Sequence, residues 1–166
     1  MTGTVTLVAI EGRRVMRLSR ELAPKAFERL LGEYQTLLRL VLETLSGQAI
    51  EVDGDTVVAA FPTAKQAALA AVAARDVLAI HDWSHGSTLA ASIALHSCET
   101  ESGWLEPALL RCSELCDAAE GGQIFLTQAA NGLLAEEDLG EWAIRDLGEV
   151  PLRRTEHRVR AHELVA

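Results

Sequence analysis

Apolar and β-branched residues run from Thr4 to Ile10, which predicts a buried strand. Glu11-Gly12-Arg13-Arg14 then turns the chain into a short helix. That helix stops before Pro24, whose fixed φ suits the first turn of a new helix. From Phe27 to Leu45, apolar residues recur three and four apart (Phe27, Leu30, Leu31, Tyr34, Leu37, Leu38, Val41, Leu42, Leu45) and form one stripe. The stripe predicts a long core-facing helix ending at Gly47. Two β-favouring runs follow, 49–52 and 56–61, around Asp53-Gly54-Asp55, a strong hairpin signal with Asp55 at the tip. An alanine-rich helix is expected from about Thr63 to His81, able to lie close to a sheet.

Residues 82–87 read as a loop. Thr88 to His96 alternates, with Leu89, Ala91, Ile93 and Leu95 on one face, and predicts a strand. A short polar stretch, 97–104, precedes a helix at 108–119, a strand at 123–127 and a helix at 128–134. Strands near 142–147 and 157–165 complete the chain. The order β-α-β-β-α-β predicts an α+β fold: a ferredoxin-like core with appended helix and strands.

The length of 166 residues and the 49% hydrophobic content fit a single domain, 1–166, with a substantial core. Twenty-four acidic against 15 basic side chains give a net charge of −9, which argues against a nucleic-acid partner and against an anionic membrane surface. A polyphosphate ligand needs a local cationic site in such a chain. No secretory-signal pattern and no apolar run of membrane-spanning length occur, so a cytoplasmic location is expected. Cys98, Cys112 and Cys116 form no disulfide framework. Cys112 and Cys116 share a helix face and could join Cys98 and His96 in a soft metal site. Buried thiols acting as small hydrophobes are the commoner case and the expectation here. His81, His85, His157 and His162 read as surface residues.

Several segments resemble, in order, the class III nucleotidyl cyclase catalytic domains. Thr4–Gly12 is similar to the family's first strand, which normally ends Phe-Thr-Asp-Ile-Glu-Gly. Gly54-Asp55 matches the Gly-Asp pair whose aspartate binds metal, and His96 closes a strand as in Gly-Ile-His-x-Gly. Asp117–Ile124 and Asp146-Leu147-Gly148-Glu149 are close to two later signatures. The resemblance covers nearly the whole chain and implies the cyclase fold, with a site between two subunits, each giving half.

At the chemical positions, the resemblance implies loss. Two divalent ions need two converging aspartates; the second is Asp55, but the first falls on Ala9, whose methyl group cannot bind magnesium. Asp53 and Glu11 are the nearby carboxylates that could compensate, with Glu11 read as facing away from Ala9. The family's purine-reading lysine falls on Glu51, an acceptor in place of a donor, and its partner falls on Gly103. The transition-state asparagine and arginine, four apart on one helix, fall on Leu110 and Glu114. Arg111 lies one residue past the asparagine position and is rotated from it by about 100°. A register shift of three would make Arg111 the catalytic arginine, at the cost of a gap in the Asp-Ala-Ala-x-Gly-Gly match. Arg13 and Arg14 stand where small hydroxylated residues usually cradle phosphate, and they are candidate anion contacts, although solvated charges are the plainer reading.

The expectation is therefore a catalytically inactive cyclase-like domain serving regulation, dimerisation or ligand binding. The alternative is an active adenylate or guanylate cyclase that uses unconventional residues. No cofactor is expected, with magnesium or manganese required if activity remains. The implied partner is a second copy, or another cyclase domain in a heterodimer. A further reading is a cleft made more apolar by Ala9 and Leu110 that takes another small molecule.

Overall fold

A computed structural model describes residues 3–84, 86 and 88–166; His85 lies outside them. One seven-stranded sheet carries every strand: β1 (Thr4–Glu11), β2 (Gln48–Asp53), β3 (Thr56–Phe61), β4 (Ser92–Glu99), β5 (Ile124–Thr127), β6 (Ala143–Pro151) and β7 (Arg158–Val165). Their spatial order is β2-β3-β1-β4-β5-β7-β6, antiparallel except for the β4–β5 pair. The helices are α1 (Arg13–Arg17), α2 (Pro24–Thr44), α3 (Ala64–Ile80), α4 (Leu105–Ala118) and α5 (Gln128–Leu134). Strands β1 to β4 with α2 and α3 form the ferredoxin-like core; α4, β5, α5, β6 and β7 extend it.

Two layers of side chains sandwich the sheet. On one face, Val8, Ile10, Val57, Ala59, Phe61, Ile93 and Leu95 meet the buried stripe of α2 (Leu30, Tyr34, Leu38, Leu42) and the alanines of α3. Pro24 opens α2 as expected, and Thr63 caps α3 by accepting the Gln66 amide at 3.1 Å. On the other face, Leu7, Ala9, Ala94 and Phe125 lie under α4 through Ala108, Cys112, Leu115 and Cys116. Because β1 is central and covered on both sides, Val5 to Glu11 is buried without a break.

Several strand ends differ from the sequence expectation. Strand β4 begins at Ser92 rather than Thr88, because its neighbour β1 ends at Glu11, which pairs with Ser92. Leu89 and Ala91 are still buried, but outside the ladder. At its other end β4 runs on to Glu99 opposite Thr4, and the chain enters α4 through residues 100–104. Strand β6 also passes its expected end, crossing a bulge at Gly148 (φ 66°) where Asp146 Oδ1 accepts the Gly148 amide at 2.8 Å.

Candidate functional site

The β2–β3 hairpin ends beside the last residue of β1, since Glu11 pairs with Thr56. Its tip is held from three directions: Asp55 carbonyl oxygen accepts the Gly12 amide at 3.1 Å and the Tyr34 hydroxyl at 2.8 Å, and Gln35 Nε2 donates to Gly54 oxygen at 2.7 Å. Glycine is required at position 12, because a Cβ there would stand 2.8 Å from the Tyr34 hydroxyl. The backbone of Asp55 is thus fixed and its carboxylate is left half-buried. Burial raises its pKa, Asp53 adds to the rise, and the Arg13 charge opposes it.

No second carboxylate completes the site. Ala9 is buried beneath α4, and its carbonyl receives the Cys116 thiol at 3.5 Å. Glu11 lies on Ala9's side of the sheet, which corrects the expectation that it faces away: residues two apart in a strand share a face. Its carboxylate accepts the Ser113 hydroxyl of α4 at 3.2 Å, and burial, with Asp117 and Asp55 nearby, raises its pKa. Among the described residues no three His, Cys, Asp or Glu side chains are grouped to hold a metal ion. Asp55 with a hydrogen-bonded Glu11 does not fit a pair of hard divalent ions, each of which wants several oxygen ligands.

Arg13 turns inward. It donates to Asp117 oxygen at 3.1 Å, to Ser92 Oγ at 3.0 Å and to Ala119 oxygen, with the Asp117 carboxylate 3.7 Å away. A guanidinium there satisfies carbonyls left open at the end of α4 and faces the negative pole of the helix. Three of its five donors are therefore engaged within the chain. Arg14 is exposed and borders a cleft of about 220 Å³ with Arg17 and Arg153, the last paired with Glu120 at 2.7 Å.

Helix α4 divides the remaining positions between two grooves. On the β3 side, exposed Glu51 shares a mainly apolar cleft of about 230 Å³ with Val58, Trp104, Leu105 and Leu109. Gly103, at φ 74°, forms the exposed turn before Trp104. Leu110 stands 60% exposed on α4. On the β7 side, half-buried Glu114 shares a cavity of about 210 Å³ with His96 and Arg111. Trp104 was not singled out from the sequence; a tryptophan in a chain only 4% aromatic was the available signal.

The thiols of Cys112 and Cys116 point at main-chain carbonyls, 3.3 Å from Ala94 oxygen and 3.2 Å from Ser92 oxygen. Burial pushes the Cys112 pKa up to about 12, so these thiols pack and do not titrate near neutrality. Two histidines depart from the surface expectation. His162 is buried, and half-buried His81 meets Glu33 at 2.8 Å beside the Trp83 ring.

Comparison with solved structures finds close matches of fold. The adenylyl cyclase CyaB from P. aeruginosa aligns over 99% of this chain and 94% of its own, with a TM-score of 0.81 and 20% identity. The guanylate cyclase domain of RhGC from Catenaria anguillulae, solved in complex with GTP, aligns over 99% and 97%, with a TM-score of 0.80 and 12% identity. An adenylate cyclase from Trypanosoma brucei, described in its monomeric state, aligns over 97% and 87%, at 0.80 and 17%. No family model matches the chain, and no curated protein matches it.

Proposed function

We propose that this chain, whose fold is that of the class III adenylyl and guanylyl cyclase catalytic domains, is a catalytically silent version acting as a regulatory, dimerising or ligand-binding module. The observation that carries this reading is what stands around Asp55: the family's other aspartate position is Ala9, packed under α4, and the Glu11 carboxylate accepts the Ser113 hydroxyl. Leu110 and Glu114 at the transition-state positions support it further, since an alkyl group and an anion cannot stabilise charge developing on phosphate. The loss of even one such contact typically costs about 10²–10³ in rate.

A second reading, nucleotide binding without turnover, is favoured by one feature. Glu51 offers a carboxylate at the mouth of an apolar cleft that also holds an indole. Guanine presents two N–H donors on its pairing edge and complements a carboxylate, whereas adenine presents an acceptor there. GTP is therefore the nucleotide this cleft favours. Titration calorimetry with GTP and ATP, each with magnesium and with manganese, tests both readings. The silent reading expects either no binding or binding of GTP over ATP that Glu51→Lys weakens. A preference for ATP contradicts the assignment of Glu51.

The proposed partner is a second copy of the chain or another cyclase domain. Structural neighbours include a guanylyl cyclase domain described as a dimer as well as domains described as monomers. Restoring Ala9→Asp, Glu51→Lys, Leu110→Asn and Glu114→Arg together tests the assignment of positions: cyclase activity in this variant supports it, and a folded, inactive dimer counts against it.

A further inference from the structure

The cavity on the β7 side of α4 has a chemistry of its own. Its apolar wall is Leu115, Leu152 and Val159, and its charged and polar groups include His96, Arg111, Glu114 and Arg160, the last already paired with Asp146. His96 is 7% exposed within β4, under α4, and its Nδ1 lies 3.0 Å from Thr127 Oγ1. That hydroxyl also accepts the Ala130 amide at 3.3 Å, so its own proton is free for Nδ1. Assigning the hydroxyl proton to Nδ1 places the imidazole proton on Nε2, where it can be donated.

Arg111 and Glu114 are three residues apart on one helix, a spacing at which opposite charges can pair. They do not pair, and neither joins any ion pair among the described residues. A simple anion in this space would gain from Arg111 and be repelled by Glu114; a simple cation would meet the reverse. A small zwitterion satisfies both. We propose that this cavity binds a small apolar α-amino acid, with its carboxylate on Arg111 and the His96 donor, its ammonium on Glu114, and its side chain against Leu115, Leu152 and Val159. About 210 Å³ admits a molecule of that size and little more. The site is separated by α4 from the Glu51 cleft and does not depend on whether that cleft takes a nucleotide.

Titration of the full chain with L-alanine, L-valine and L-leucine, followed by calorimetry and by amide chemical shifts, tests the proposal. Two analogues each lack one charge of valine: isovalerate has no ammonium and isobutylamine no carboxylate. The expected result is saturable binding of at least one amino acid, with amide shifts centred on α4 and β4. The matching single-charge analogues should bind about tenfold more weakly, the effect of losing one charge-assisted hydrogen bond. Arg111→Gln, at an exposed position, and Glu114→Gln, at a half-buried one, should each weaken binding by a similar factor and leave the melting temperature unchanged. Three results overturn the proposal: no binding by any of the three amino acids, isovalerate or isobutylamine binding as tightly as valine, or affinity unaffected by Glu114→Gln.

Discussion

The two faces of the sheet are built to different ends. Under α2 and α3 the packing is dry and close: Phe61, Tyr34, Leu30 and Leu38 are fully buried, and the α3 alanines bring that helix down onto the strands. The other face carries α4 along its middle, with an open groove on either side. Leu105 and Leu110 remain exposed there, and Glu51, Trp104, Arg111 and Glu114 line the grooves. The covered face preserves the scaffold, and the open face holds the positions at which cyclase chemistry would stand. Of the positions at which the resemblance implies loss, Glu51, Leu110 and Glu114 lie along the open face and Ala9 is packed beneath α4, while the hairpin tip keeps its Gly54-Asp55 pair.

Substitutions that distinguish the faces should separate widely in stability. Phe61→Ala, on the covered face, should cost about 3–5 kcal/mol by urea unfolding, whereas Leu110→Ala should stay within about 0.5 kcal/mol. Equal effects would erase the contrast. Arg13→Met keeps the aliphatic stem but strips the donors from Asp117 oxygen, Ala119 oxygen and Ser92. It should cost about 1–3 kcal/mol, because partly buried acceptors are left open. A neutral result would return Arg13 to the role of a solvated charge. Tyr34→Phe should cost about 1 kcal/mol, with Gly12 still bonded to Asp55, and should speed amide exchange at the hairpin tip.

The smallest effect concerns pH. Glu11 and Asp55 have pKa values raised by burial, so the folded state holds protons that the unfolded chain has already released. Their contribution is fully present below the ordinary carboxylate pKa and is lost as pH rises through the raised values. Glu11→Gln, which can still accept from Ser113, should stabilise the domain at neutral pH and flatten that part of the stability–pH curve. A loss of stability at neutral pH would show that the Glu11 charge is favourable where it stands.

Local signals account for the elements and much less for the site. Asp53-Gly54-Asp55 between β-branched runs announces the hairpin, and the α2 stripe announces its helix, because each pattern is complete within a few residues. The ends of β4 were not legible, since they are set by how far β1 runs beside it. Gly12 could be seen as a motif residue, but its reason is the Tyr34 ring brought beneath it by α2. Strand alternation does place Glu11 with Ala9, so that correction required only the period of two. Arg13 is different: its acceptors come from Ser92, Asp117 and Ala119, and no local pattern distinguishes it from its solvated neighbour Arg14. The meeting of His96 with Arg111 and Glu114 depends in the same way on how α4 crosses the sheet.

Catalytic silence is the central claim, and direct measurement of turnover tests it. Purified chain should be incubated with ATP and with GTP, each with magnesium and with manganese, and assayed for cyclic product alongside an Asp55→Ala variant. No product above the variant's background is the predicted result. Cyclic nucleotide formed by the native chain and lost with Asp55→Ala would contradict it, and would show that one aspartate with an unconventional set of partners supports the reaction.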